Sequence, residues 1–340
     1  YAGAKLEEDS NAYARTRDSH RDFYTQVLHQ LTTRQSETQL LQSTQHDYDN
    51  IRHAWDWVVQ QRDLARLTEM GKRMSQLYED NGWYADGARL FDDAVRALES
   101  PPAADARAVV AHLRAEYGYF LGRSGHYTRA RSVLERCLAS LGSDEATQTR
   151  ASVLAYLGLM CFQLGFYDTA QTQLEDARGR ALALGDQNLY ALTSWLLGSV
   201  LQARGAYEEA RVPLEVSIAI WRAEGRQRGP ALGMYALSGI AIAQGNFNEA
   251  QSLLRESLRI GSAVHDRWSV GRALEQLGSI AVAQGDAAEA RYLLRESIEV
   301  FTELDDRWSL AAALNHLGTA EAALHQSAAA RQTFLQSLKI

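Results

Sequence analysis

Only 4 of the 340 residues are proline, the residue that most strongly interrupts a helix. Long helices are therefore unobstructed almost everywhere, and with helix formers throughout this argues for an all-α chain. The 2 cysteines, Cys137 and Cys161, are too few for a disulfide framework, which fits a reducing compartment and a cytoplasmic location. No run approaches the roughly 18 apolar residues of a membrane span; the longest candidate, 231–243, stops at Gln244. Nothing resembles a signal peptide. Lysine and arginine total 35 against 42 acidic residues, a net charge of -7. With no long basic block, the electrostatic footprint of direct nucleic-acid binding is missing. Arg222, Arg226 and Arg228 read as a solvated helix end.

Catalytic signatures are missing too. The chain has no Gly-x-x-x-x-Gly-Lys-Ser/Thr phosphate loop, Gly-x-Ser-x-Gly elbow, His-Glu-x-x-His or Cys-x-x-Cys. Its 9 histidines are scattered without ligand spacing. His316, beside Asn315, could face a groove, but a lone helical histidine reads first as a structural residue. Glu208 and Glu209 sit where acids favour a helix start. A non-enzyme without metal or cofactor is expected.

What the sequence does contain is a period. Gly118, Gly158, Gly198, Gly278 and Gly318 are 40 or 80 apart, and Ser238 fills the vacant slot. Seven residues on come Gly125, Gly165, Gly205, Gly245 and Gly285, with His325 in the last unit. Five further is always alanine, from Ala130 to Ala330; four beyond is Leu134, Leu174, Leu214, Leu254, Leu294 or Phe334. Three more reach a small residue, Cys137, Ala177, Ser217, Ser257, Ser297 or Ser337. Both cysteines thus fall on repeat core positions, where packing explains them.

Within a unit, Leu154, Leu157, Gly158 and Cys161 fall on one face of a helix, and Ala170, Leu174 and Ala177 make such a face on the next. Gly165-Phe166-Tyr167 between them is a tight turn, glycine supplying the positive φ that closes a helix. One such hairpin cannot bury its apolar face alone, whereas a stack can. The expected architecture is an α-solenoid of antiparallel helix hairpins with a 40-residue period.

Leu157-Gly158, Gly165-Phe166-Tyr167, Ala170, Leu174 and Ala177 together resemble the tetratricopeptide repeat (TPR), a resemblance that covers about two thirds of the chain and implies a right-handed solenoid. The usual repeat has 34 residues, so the helices here should be longer. Asp266-Arg267-Trp268-Ser269 and Asp306-Arg307-Trp308-Ser309 mark the junctions, with aspartate suited to N-capping. Repeats of this length resemble those of bacterial signal-transduction ATPases and of the activator of the maltose regulon.

Residues 1–60 do not obey the repeat and read as an N-terminal helical pair or linker, with helices from about Asn11 to Arg34 and Glu37 to Gln60. Asp47-Tyr48-Asp49-Asn50-Ile51-Arg52-His53-Ala54-Trp55-Asp56-Trp57 resembles the segment joining the nucleotide-binding part of STAND-class ATPases to their repeat arm, with Ile51 and His53 where leucine and alanine are usual. Residues 61–340 form the solenoid, with a divergent repeat over 61–105, around Gly82, Gly87, Phe91 and Ala94, and regular ones over 106–340. Ser100-Pro101-Pro102-Ala103-Ala104 lengthens a loop and breaks the phase, and Pro213 is expected to kink a second helix. Because the chain opens on Tyr1 and stops at Ile340 inside an expected helix, it reads as a piece of something longer.

A solenoid offers a concave wall lined by the first helix of each unit. Counting from the crossing glycine, the inward register selects Tyr119, Arg123, Phe162, Trp195, Gln202, Tyr235, Arg272, Glu275 and Asn315 as candidate ligand- or partner-binding residues. Aromatics with a few polar neighbours suit a peptide, a small effector or a protein surface; padding of the superhelix is the plain alternative. The lysine, asparagine and arginine clamp of chaperone adaptors is not reproduced. The STAND resemblance implies an effector-sensing, autoinhibitory arm beside an upstream ATPase domain and a part in transcription regulation. A constitutive interaction scaffold is the other reading left open.

Overall fold

The computed structural model describes residues 10–33, 37–99, 106–142, 148–226, 228–264, 266–304 and 306–340. All secondary structure among them is helical, as sixteen helices paired into hairpins. The first of two compact units, Tyr1–Leu184, holds α1 (Ser10–Thr33), α2 (Glu37–Gln61), α3 (Leu64–Asp80), α4 (Tyr84–Glu99), α5 (Arg107–Arg123), α6 (Tyr127–Ser140), α7 (Gln148–Gln163) and α8 (Tyr167–Leu184). The second, Gly185–Ile340, holds α9 (Gln187–Ala203), α10 (Tyr207–Ala223), α11 (Arg228–Ala243), α12 (Phe247–Ala263), α13 (Arg267–Gln284), α14 (Ala287–Glu303), α15 (Arg307–Ala323) and α16 (Ser327–Lys339). Residues 1–9 and the expected 100–104 loop lie outside the described residues.

The crossing glycines act as sockets. A Cβ added to Gly158 would lie 2.5 Å from Leu174 Cγ, and one added to Gly278 would lie 2.6 Å from Leu294 Cγ. The leucine of each second helix therefore occupies the volume that the first helix vacates, and Ala170, Ala210, Ala250 and Ala290 are fully buried nearby. In four of the six regular hairpins the small residue three positions beyond the large apolar one makes a bond back to the start of its own hairpin's first helix, whereas Ser217 Oγ donates to the Leu214 carbonyl of its own helix and position 177 is alanine. Ser257 Oγ donates to the Ala231 carbonyl at 3.0 Å, Ser297 Oγ to that of Gly271 at 2.9 Å and Ser337 Oγ to that of Ala311 at 2.9 Å. Cys137 Sγ does the same to Ala111 at 3.3 Å, and burial pushes its thiol up to about 11.

Turns and caps follow the sequence. Gly125, Gly165, Gly205, Gly245 and Gly285 all have positive φ, and His325 holds φ 59° in the glycine slot of the last hairpin. Asp186, Asp266 and Asp306 cap α9, α13 and α15, each accepting from the backbone N–H three residues on. Helix α10 runs uninterrupted through Pro213. The carbonyl of Glu209, four residues earlier, loses its donor there, on a residue exposed to water.

In the first unit, α1 and α2 contribute Leu28, Ile51, Ala54, Trp55 and Val58 to the same core as α3–α7. In the second, α9 meets α11, α11 meets α13, and α13 meets α15, whereas the second helices stand further apart. The first helices thus line the tighter side of that stack. Among the described residues no helix is long and apolar enough to cross a membrane.

Candidate functional site

In the first unit the register brings Tyr119 and Arg123 together one turn apart on α5. Arg123 Nη1 donates to Glu79 Oε1 at 3.0 Å and to the Tyr119 hydroxyl at 3.1 Å; Nη2 donates to the Tyr84 hydroxyl at 2.6 Å. Tyr119 in turn donates to Glu79 Oε2 at 2.6 Å. Burial raises the Tyr119 phenol well above its ordinary value. This cluster spends its donors inside the protein and ties α3, α4 and α5 together. One turn earlier, Glu116 is buried, accepting from Ser75 Oγ at 2.6 Å, and burial pushes its carboxyl up to about 7. Phe162 on α7 packs near Tyr167, ring centroids 6.0 Å apart.

The second unit arranges its candidates differently. Trp268, Arg272 and Glu275 lie at i, i+4 and i+7 on α13 and so share one face. Tyr235 approaches from α11, Trp308 and His316 from α15. The Arg272 guanidinium lies 4.9 Å from the Tyr235 ring centre, 5.5 Å from Trp308 and 5.9 Å from Trp268. Its Nη2 donates to the Tyr235 hydroxyl, and Nη1 is 3.7 Å from Glu275 Oε2. Glu275 is buried, with Oε1 2.9 Å from His316 Nδ1. Trp268 Nε1 donates to Asp306 Oδ2 at 3.1 Å. One interhelical cluster therefore places a cation between three aromatic faces above a buried acid. Its outermost ring, Trp308, is 73% exposed.

Other candidates in this unit stay apart from the cluster's contacts. Trp195 is half-buried against Trp221, centroids 6.5 Å apart, with its indole N–H enclosed and without a partner among the described residues. The Gln202 amide lies over Gly239, where a Cβ would come within 2.1 Å of Nε2. Asn315 is exposed. The sequence register missed Trp268 and Trp308 because it stopped six residues before the crossing glycine. One further helical turn reaches the tryptophan of both Asp-Arg-Trp-Ser junctions. A surface depression along α12, lined by Asn248, Gln251, Ser252, Arg255, Glu256 and Arg259, holds polar side chains of one helix flank and no comparable convergence. Among the described residues no cluster of His, Cys, Asp or Glu could hold a metal ion.

The tetratricopeptide repeat profile matches residues 149–223, 229–303 and 269–340, more than half of the chain. The chain belongs to the tetratricopeptide repeat family. This TPR chain is similar in fold to a STAND protein with a tetratricopeptide repeat sensor from Pyrococcus horikoshii, TM-score 0.62 at 13% identity over 89% of this chain. It spans 43% of that protein. The apo form of the quorum sensor NprR from B. thuringiensis superposes with TM-score 0.61 at 13% identity, covering 83% of this chain and 76% of that one. A Rap protein complexed with competence and sporulation factor gives 0.56 at 13% identity over 92% and 99%. At these identities the likeness is one of fold. No curated protein shows significant sequence similarity to the chain.

Proposed function

We propose that this TPR chain is the effector-sensing arm of a larger STAND-type regulatory ATPase, and that it binds a protein or peptide effector on the first-helix face of its second unit. The observation that carries the binding site is the Arg272 cluster. It joins three consecutive first helices through Tyr235, Arg272 and Trp308, so an occupant touches α11, α13 and α15 at once and is sensitive to how they stack. The linker-like phrase around Asn50–Trp57 supports the arm role, as does the fold shared with a STAND protein whose repeats are described as a sensor. Effector binding that favours one packing of the arm over another would shift the ATPase between its states.

Panning a random peptide library against the chain tests the face. Selected peptides should bind Trp308→Ala and Tyr235→Ala at least about tenfold more weakly, a loss of roughly 1.4 kcal/mol, with helical circular dichroism unchanged. Equal affinity for both variants and the parent would remove this face as the site. Peptide mapping of the natural gene product tests the arm: a phosphate-loop ATPase in the same polypeptide supports it. Its absence there leaves a constitutive interaction scaffold.

A further inference from the structure

Arg272 is under-supplied with acceptors. A guanidinium carries five N–H donors, yet among the described residues one alone makes a hydrogen bond, to the Tyr235 hydroxyl. The 3.7 Å to Glu275 is longer than a hydrogen bond. Arg272 Nε is enclosed and has no partner among the described residues, and the side chain as a whole is 15% exposed. Three rings attract the cation through their faces, but ring faces do not replace in-plane acceptors for its N–H groups. A desolvated charge left in this condition is costly until an acceptor arrives. Glu275 has its other oxygen 2.9 Å from His316 Nδ1.

Resting on the reading that this face is the effector site, we propose that Arg272 anchors a single carboxylate side chain of a peptide whose nearby apolar residue lies on Trp308. The guanidinium and the Trp308 ring are 5.5 Å apart. Side chains two residues apart on an extended peptide project to the same side about 6.6 Å from one another, so an acid followed two positions later by a large apolar residue fits both groups. Charge limits the acidity of the partner. Glu275 lies beneath the cluster, and Asp306 is beside it, bonded to Trp268 Nε1 and to the Ser309 N–H and hydroxyl. Two carboxylates already in place repel a run of acids and accept one that is paired with Arg272.

Three fluorescent peptide pools test this by anisotropy: Glu-x-Leu, Gln-x-Leu and Lys-x-Leu at the centre, with other positions randomised. The parent chain should bind the glutamate pool about tenfold or more tighter than the glutamine pool, as expected for a charge-assisted pair. That preference should vanish in Arg272→Gln, while Trp308→Ala should weaken both pools. Should Arg272→Gln lose its cooperative melt, Arg272→Lys, which keeps charge without the planar fork, should retain only part of the preference. Equal binding of glutamate and glutamine pools, still lost in Trp308→Ala, overturns the carboxylate anchor and leaves the face reading standing. A glutamate preference that survives Arg272→Gln also overturns it. Binding of no pool, or binding insensitive to Trp308→Ala and Tyr235→Ala alike, overturns the anchor and the face together.

Discussion

Two polar residues of the first unit, one buried and one half-buried, make stability depend on pH in opposing ways. Glu116 has its pKa raised by burial from the ordinary 4.5 to about 7, so the folded state holds a proton that the unfolded state releases. Its contribution is fully present below about 4.5 and is lost as pH rises through about 7. His112, lowered to about 4 by burial, contributes above 6.5 and loses that contribution as pH falls. Glu116→Gln preserves the neutral shape and a hydrogen-bond acceptor for Ser75. It should therefore match the parent in thermal stability at pH 4.5 and exceed it by about 1 to 3 kcal/mol at pH 8. The His112 effect is common to both proteins and cancels in the difference. A variant no more stable than the parent at pH 8 would show that Glu116 ionises freely in the fold. None of this was legible in the sequence, because Glu116 looks like any helical glutamate until Ser75 and Tyr156 are brought over it from α3 and α7.

Helices and turns were far more legible, since each rests on contacts within one hairpin. The crossing glycines, the leucines that fill them and the aspartate caps could all be read from spacing, because a socket and its filler are only 16 residues apart, as Gly158 and Leu174 are. The serines at 257, 297 and 337 were legible as small residues, though not as hydrogen-bond donors, because their acceptors are backbone carbonyls with no sequence signature. His325 is the one turn position that breaks the pattern, with φ 59° where the other five units have glycine. A left-handed conformation costs a non-glycine residue about 1 to 2 kcal/mol, offset in part by the freedom that glycine adds to the unfolded chain. His325→Gly should thus stabilise by up to about 1 kcal/mol, and Gly285→Ala should destabilise by about 1 kcal/mol or more. Chemical denaturation of the two variants against the parent checks the pair, and a destabilised His325→Gly would mean that the imidazole has a compensating contact.

Across the whole molecule, the face that carries the proposed function was only partly readable. Tyr235, Arg272 and Glu275 fell in the inward register, but the exposed Trp308 and the neighbouring Trp268 did not. Their meeting depends on the rotation between stacked hairpins, which a one-dimensional period does not contain. Tyr119 and Arg123, chosen by the same register, are engaged instead with Glu79 and Tyr84 in a network internal to the first unit. A repeat thus specifies which side of a helix is inward more reliably than it specifies which inward side chains keep unspent donors. The most direct test is hydrogen–deuterium exchange of the chain with and without a peptide selected by panning. The account predicts slowed exchange in α11, α13 and α15, the helices carrying Tyr235, Arg272 and Trp308. Protection confined to the second helices α10, α12, α14 and α16, with those first helices unchanged, would contradict it.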